Sequence, residues 1–153
     1  MTPSIFIGIG FGRLGCLLYS CCYGDPTTLP WGIEFPHGSV AFDAYVQRGL
    51  VSPNAPLCIP LHPTQVYSSI NGFILAAVTI AYFPYRRHPG QVFSLGMILY
   101  AITRFAIEIV RSDEEGQLGT PLTISQLLCL AMLAAGIWLA VHLSRQPRST
   151  EKS

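Results

Sequence analysis

The sequence predicts an all-α fold, a polytopic transmembrane helical bundle with about four spans and one long outer loop. Half of the 153 residues are hydrophobic and only 11% are charged, whereas soluble domains usually carry about 25% charged residues. Four apolar stretches stand out, at residues 5–18, 66–83, 92–110 and 122–143. The last three approach or reach the ~20 residues that a spanning helix needs, and the first is short for a full span. We expect residues 1–153 to form a single membrane domain.

A buried four-helix bundle in a soluble protein is the alternative to this fold. The fourth stretch argues against it, because residues 127–143 are almost uninterruptedly apolar.

The formal net charge is only +1. A domain that binds DNA or RNA would show a clear excess of basic residues on one face, so no nucleic-acid partner is expected.

The positions of the basic residues predict how the chain is oriented. Cytoplasmic loops of membrane proteins carry an excess of Lys and Arg. Arg86 and Arg87 follow the second stretch, and the tail after Leu143 is also basic. Both segments, and with them both ends of this chain, are therefore predicted to be cytoplasmic. The long loop 20–65 and the acidic connection 111–121 are then predicted to lie outside.

Three polar residues in the third stretch are candidates for chemistry. Tyr100, Arg104 and Glu108 are spaced by four, which places them on one face of a helix. A charged side chain in the centre of a membrane helix costs roughly 2.5–3.5 kcal/mol on insertion scales, so such residues usually face a polar interior and mark function. The other interpretation is an Arg104–Glu108 ion pair that only neutralises itself, or a Glu108 that orients Arg104.

Arg13 and His62 flank the outer loop. Arg13 stands between Gly12 and Gly15, which would let a lipid headgroup approach, and its planar guanidinium suits a phosphate. Arg13 could equally extend its charge to the membrane interface. His62 supplies a proton carrier beside Tyr67, although a capping histidine and an interfacial tyrosine are the simpler interpretation.

The five cysteines are Cys16, Cys21, Cys22, Cys58 and Cys129. Their spacing fits no zinc signature, and we expect neither a metal site nor a cofactor. On an oxidising side, a disulfide from Cys21 or Cys22 to Cys58 is possible, and so are free thiols.

An ordered set of motifs carries a family resemblance. The set comprises Gly12-Arg13-Leu14-Gly15, Tyr23-Gly24-Asp25-Pro26-Thr27, Pro30-Trp31-Gly32, His62-Pro63-Thr64-Gln65-Val66-Tyr67, Tyr100-x-x-x-Arg104-x-x-x-Glu108-x-x-Arg111 and Leu122-Thr123-Ile124-Ser125-Gln126. Over nearly the whole chain, their order and spacing resemble the C-terminal half of the prolipoprotein diacylglyceryl transferases, with a variant signature.

This resemblance implies a reaction in the bacterial cytoplasmic (inner) membrane. A diacylglyceryl group moves from phosphatidylglycerol to the thiol of the lipobox cysteine in the signal peptide of a prolipoprotein, and glycerol phosphate leaves. By resemblance, Arg13 and Arg104 are catalytic. The residues that would bind substrate are Gly24, His62, Tyr100 and Glu108.

The chain also departs from the family pattern. Cys16 and Cys21 stand where the usual signature has Asn and Glu, and the His-Gly-Gly segment of an earlier helix is absent. The chain therefore resembles a split or truncated member. It would be either a fragment of a longer protein or a half whose missing N-terminal helices a partner supplies. The alternative is an inactive protein that still binds phosphatidylglycerol. A third hypothesis is a membrane thiol protein with Cys21, Cys22 and Cys58 as a redox set.

Overall fold

The computed structural model describes residues 1–88, 90–109 and 123–146. Five α-helices form there: α1 (Thr2–Leu18), α2 (Val40–Gln47), α3 (Thr64–Tyr82), α4 (Gln91–Glu108) and α5 (Ile124–Ser144). A short 3₁₀ helix, Phe83–Tyr85, follows α3. Within these ranges the β-structure is limited to three isolated bridges in the loop between α1 and α3. The predicted all-α bundle is confirmed.

Local sequence signals explain where the helices begin. Pro63 precedes α3, where a proline forfeits no intrahelical hydrogen bond. A reciprocal capping box opens α5: Thr123 Oγ1 accepts from the backbone N–H of Gln126, whose side-chain oxygen accepts from the N–H of Thr123. Two otherwise unpaired N–H groups at the start of α5 are thereby satisfied.

Small residues bring α1 and α3 into backbone contact. A Cβ placed on Gly72 would lie 2.9 Å from the backbone oxygen of Phe6, and one placed on Gly10 would lie 2.9 Å from the ring of Phe73. The hydroxyl of Ser69 donates to the carbonyl of Gly10 at 2.9 Å. Close packing of small residues with an interhelical hydrogen bond is the usual way in which membrane helices associate.

The remaining helices continue the bundle from α3 through α4 to α5. Asn71 on α3 donates to the hydroxyl of Thr103 on α4 at 2.9 Å. Gly136 on α5 faces Ile98 of α4, since a Cβ there would lie 2.9 Å from that side chain. Helix α4 also touches α1, where the ring of Phe6 lies over Gly96. A polar and small-residue seam therefore runs through the bundle.

The outer faces of the helices are apolar. Leu128 and Trp138 of α5 expose 59% and 67% of their surface, and Ile74 of α3 exposes 54%. Such large exposed apolar faces mark contact with a membrane or a partner. The segments Thr64–Tyr85, Gln91–Glu108 and Ile124–Ser144 are long and apolar enough to cross a membrane, whereas α1 is apolar but has only 17 residues.

The predicted long loop is a packed unit rather than an open connection. Residues between α1 and α3 surround a core in which Tyr45 and Leu61 are 1% and 0% exposed. The other buried members are Tyr23, Phe35, Ala41, Phe42, Val51 and Cys58. Helix α2 lies in this unit and begins at Ser39, whose hydroxyl accepts from the N–H of Phe42 at 3.2 Å. Aromatic and apolar residues scattered through the loop bury one another, which gives it a fixed shape. We call this packed loop, residues 19–63, the outer unit, after the side of the membrane predicted for it.

Candidate active site

Arg104 and Glu108 form an ion pair inside the bundle. Arg104 is 9% exposed and Glu108 only 3%. Nη2 of Arg104 also donates to the hydroxyl of Ser125 on α5 at 3.3 Å. The hydroxyl of Thr123 lies 3.5 Å from Oε1 of Glu108. Both charges are thus held by hydrogen bonds across the α4–α5 contact, which fixes the direction of the guanidinium.

Arg13 contrasts with this pair. It is half-buried on α1 and forms no ion pair or hydrogen bond with any described residue. A Cβ added to Gly8, Gly12 or Gly15 would meet nothing within 4 Å. These three glycines share one face of α1, which lies roughly 100–160° around the helix from Arg13. That face is open enough for another backbone to come close.

The two arginines lie at similar heights along neighbouring helices. Thr2 and Phe6 contact Gly96, and the rings of Phe6 and Tyr100 are 6.1 Å apart. Later residues of α1 contact later residues of α4, so the two helices run parallel. Arg13 is seven residues beyond Phe6 and Arg104 eight beyond Gly96. At 1.5 Å of rise per residue, both lie roughly 10–12 Å beyond the Phe6–Gly96 contact.

Within the four long helices the described residues carry only three charges. These are Arg13, Arg104 and Glu108. Glu108 neutralises Arg104, which leaves one positive charge at this level of the bundle. In a medium of low dielectric constant, such a charge strongly favours an anion beside it.

A groove of about 270 Å³ lies between α1, α4 and α5, on the side of the arginines that faces the start of α1. Its lining residues are Thr2, Ile5, Phe6, Ile9, Phe93, Met97, Tyr100 and Met132. Tyr100 thus lies at the groove, with its ring against Phe6. Among described residues its hydroxyl has no hydrogen-bond partner.

His62 and Gly24 lie together at the junction of the outer unit with α3. The N–H of Gly24 donates to the carbonyl of His62 at 2.9 Å. The hydroxyl of Tyr67 accepts from the indole N–H of Trp31 at 2.8 Å and lies 3.3 Å from Nδ1 of His62. The predicted pairing of His62 with Tyr67 is therefore present, as part of a chain that also includes Trp31.

A tight turn joins α1 to the outer unit. Ser20 and Cys22 adopt φ values of 58° and 60°, a region that residues other than glycine rarely occupy. Thr64 donates to the carbonyl of Cys22 at 2.6 Å, and Gln65 donates to that of Cys21 at 2.7 Å. The start of α3 thus holds this turn in place.

The cysteines are all free thiols, including Cys58, for which a bridge to Cys21 or Cys22 was one possibility. Burial, reinforced by the neighbouring thiols of Cys22 and Cys16, raises the pKa of Cys21 to about 12. Burial also raises the pKa of Cys58. Both thiols are therefore protonated at neutral pH, which makes them poor nucleophiles.

The structure brings some of the predicted residues together and leaves others apart. Arg104 joins Glu108, and Gly24 joins His62. Arg13 forms no polar contact with either pair among the described residues. Arg111, the last member of the α4 motif, lies outside the described residues.

The contributions of Ser125 and Thr123 to the Arg104 site were not predicted. The sequence places both residues in a family motif without indicating a contact with Arg104 or Glu108. A capping-box pattern, Thr-x-x-Gln, was nevertheless visible in the sequence. It fixes where α5 begins, but pairing of that start with Glu108 depends on tertiary packing.

Comparison with known proteins identifies the family. The profile of the prolipoprotein diacylglyceryl transferases matches residues 1–142. The chain belongs to the prolipoprotein diacylglyceryl transferase family. The similarity is spread over all four long helices and the outer unit, so both pairs of site residues lie within the matched region.

Curated relatives agree with this assignment. A phosphatidylglycerol–prolipoprotein diacylglyceryl transferase of Clostridium tetani is 40% identical over 139 residues, which is 91% of this chain and 50% of the relative. A second one from Clostridium perfringens is 38% identical, covering 91% of this chain and 48% of the relative. One from Nitratidesulfovibrio vulgaris is 35% identical over 147 residues, which is 93% of this chain and 48% of the relative. The chain therefore spans about half the length of the curated relatives it matches.

Proposed function

We propose that this chain contributes to the transfer of a diacylglyceryl group from phosphatidylglycerol to the lipobox cysteine of prolipoproteins. The observation that carries the proposal is the pair of arginines at one height of the bundle. Arg104 is fixed by Glu108 and Ser125, and Arg13 is half-buried without a polar partner among the described residues. Family membership supplies the reaction.

The two arginines suit the charge changes of this reaction. The sulfur of the cysteine forms a bond to the glyceryl carbon, and the bond from that carbon to the phosphate oxygen breaks. The S–H bond of the cysteine also breaks, and its proton passes to the released glycerol phosphate or to solvent. The electron pair of the broken carbon–oxygen bond stays on the phosphate, where negative charge increases. Positive groups held in position in a site of low dielectric constant stabilise such a transition state, commonly by about 2.7–4 kcal/mol per donor.

The apolar groove has the chemistry of an acyl-chain site. It lies alongside the helices, displaced from the arginines towards the start of α1, which is where lipid tails would extend from a headgroup at Arg13 and Arg104. In this arrangement Tyr100 lies between headgroup and tail. Glu108 orients Arg104. Gly24 and His62 line the outer side of the site, from which the peptide would approach.

Site-directed variants test the catalytic assignment. Thioether formation between phosphatidylglycerol and a lipobox peptide would be measured by mass spectrometry. The assay would use the purified chain alone, and the chain co-expressed with the portion of the Clostridium tetani relative that it does not cover. We expect Arg104→Ala to lower transfer by about 10²–10³-fold. Arg86→Ala is the matched control, because Arg86 is exposed and stacks on Phe83 at the opposite end of the bundle.

Two results would change this proposal. Unchanged transfer in Arg104→Ala would remove Arg104 from the mechanism. Phosphatidylglycerol binding by the unaltered chain without thioether product in either setting would favour the alternative, a protein that binds this lipid without transferring it. That alternative is motivated by Cys16 and Cys21, which occupy the signature positions of Asn and Glu.

We further propose that the chain lies in the bacterial inner membrane with its outer unit in the periplasm. The support is the placement of Arg86 and Arg87 between α3 and α4. Alkaline phosphatase, which is active only outside the cytoplasm, should be active when fused at Ser52 and inactive when fused after Gln146. The reverse pattern would contradict this orientation.

A further inference from the structure

Three thiols converge where α1 ends. Cys16 lies in the last turn of α1, and Cys21 and Cys22 lie in the turn that follows. The three sulfur atoms are all within 4.8 Å of one another. Those of Cys21 and Cys22 are 3.7 Å apart. Cys58 and Cys129 are buried elsewhere and belong to no such group among the described residues.

These separations match those of thiolates around one metal ion. With a zinc–sulfur bond of about 2.3 Å, two sulfur ligands lie about 3.8 Å apart in a tetrahedral site and about 4.0 Å apart in a trigonal one. The sulfur separations in the structure need to change by less than about 1 Å to reach these values. A disulfide would use only two of the three thiols, whereas a soft cation uses all of them.

The backbone holds the thiols in this arrangement without any ion. The N–H of Cys21 donates to the carbonyl of Cys16 at 3.1 Å. The carbonyls of Cys21 and Cys22 accept from Gln65 and Thr64, each of which is only 1% exposed. The positive φ values of Ser20 and Cys22 turn the chain back towards α1. Unfavourable backbone conformations of this kind persist where surrounding contacts impose them, and they cluster at functional sites.

Gln65 provides a second, independent observation. Its Oε1 is buried and accepts no hydrogen bond from any described residue. This oxygen belongs to the same amide group whose nitrogen donates to the backbone carbonyl of Cys21, so an unused acceptor is held next to the backbone of Cys21. Buried acceptors normally have a donor, and a water molecule on an open metal position would be one.

We propose that Cys16, Cys21 and Cys22 form a binding site for one soft, thiophilic metal cation, Zn²⁺ or Cu⁺. The three sulfur atoms bind as thiolates and their protons pass to solvent. A water molecule completes a tetrahedral Zn²⁺ site, and Cu⁺ binds with the three sulfurs alone. All three cysteines are partly exposed, which gives the ion a path of entry. The ion would tie the end of α1 to the turn that follows it, independently of the proposed transfer reaction.

Metal titration of the purified full chain tests this site. The chain in detergent micelles would be reduced, stripped with a chelator and titrated separately with Zn²⁺ and with Cu⁺ against a chromophoric competitor. We expect one equivalent to bind. Cys16→Ser and Cys22→Ser should each weaken binding at least tenfold. Cys58→Ser and Cys129→Ser are the matched controls and should leave binding unchanged.

A measurement without variants guards against misfolding of the serine proteins. Bound metal should protect Cys16 and Cys22 from pulse alkylation, read peptide by peptide by mass spectrometry, and a chelator should remove the protection. Cys58 should show no metal-dependent change. Failure to bind a stoichiometric ion, or binding that survives replacement of all three cysteines by serine, would overturn the proposal. So would a disulfide among the three in the isolated protein whose reduction restores no metal binding.

Discussion

At the scale of single residues, the central feature is a buried charge pair that is both a structural device and a candidate catalytic group. Arg104 and Glu108 are each less than a tenth exposed. Removing one partner of a buried pair leaves an uncompensated charge, which usually costs about 3–5 kcal/mol. Replacing both partners by apolar side chains of similar volume is often neutral. Stability and catalysis should therefore respond differently to single and double substitutions.

We accordingly expect Glu108→Ala to lower the free energy of unfolding by about 3–5 kcal/mol. The double variant Arg104→Leu with Glu108→Leu should regain most of that stability. Unfolding in detergent would be followed by the fluorescence of Trp31 and Trp138. The double variant should still form no thioether product, because it lacks the guanidinium. If it transfers at the rate of the unaltered chain, the pair has only a structural role.

The charge pair could be predicted from the sequence, but most of the residues around it could not. The spacing of Arg104 and Glu108 placed them on one helical face, which the structure confirms. Ser125 and Thr123 come from α5, and no local pattern reveals that they meet the pair. The convergence of Cys16, Cys21 and Cys22 could not be predicted either, since it depends on positive φ values that no local sequence pattern indicates.

At the scale of elements, the packing of α1 on α3 depends on two glycines that face each other. A Cβ on Gly72 would lie 2.9 Å from the backbone oxygen of Phe6 and 3.0 Å from the nitrogen of Gly10. Backbone atoms cannot move aside as a flexible side chain can. The helices must therefore separate if Gly72 gains a side chain, which would also displace Arg13 relative to α3.

We predict that Gly72→Ala destabilises the protein by about 1–3 kcal/mol, the usual cost of overpacking. Gly8→Ala is the matched control, because it is also in a helix and a Cβ there meets nothing within 4 Å. That control should be neutral or stabilising by up to about 1 kcal/mol through helix propensity. Equal effects of the two substitutions on the unfolding midpoint would contradict the observed α1–α3 contact.

The elements themselves were predictable because apolar length and helix-start signals are local. The four apolar stretches correspond to α1, α3, α4 and α5. The packed outer unit with α2 was not predicted. Its core joins residues as distant as Tyr23 and Leu61, and their sequence spacing has no regular period from which such a core could be recognised.

At the scale of the whole molecule, the chain provides a lipid-facing bundle with a folded outer unit and a charged level between them. The net positive charge inside the described helices comes from Arg13, since Glu108 offsets Arg104. This chain spans about half the length of these relatives, and both arginines lie within it. Under the proposed function, binding of the lipid and completion of the reaction can therefore be tested separately.

The most direct test of this account is lipid selectivity of the purified chain, measured by native mass spectrometry with equal amounts of phosphatidylglycerol and phosphatidylcholine. The account predicts a preference for phosphatidylglycerol in the unaltered chain. Arg13→Ala should reduce that preference at least tenfold, whereas Arg86→Ala, the control at the opposite end of the bundle, should retain it. Equal binding of both lipids, or a preference that survives Arg13→Ala, would contradict a phosphatidylglycerol site at this level of the bundle.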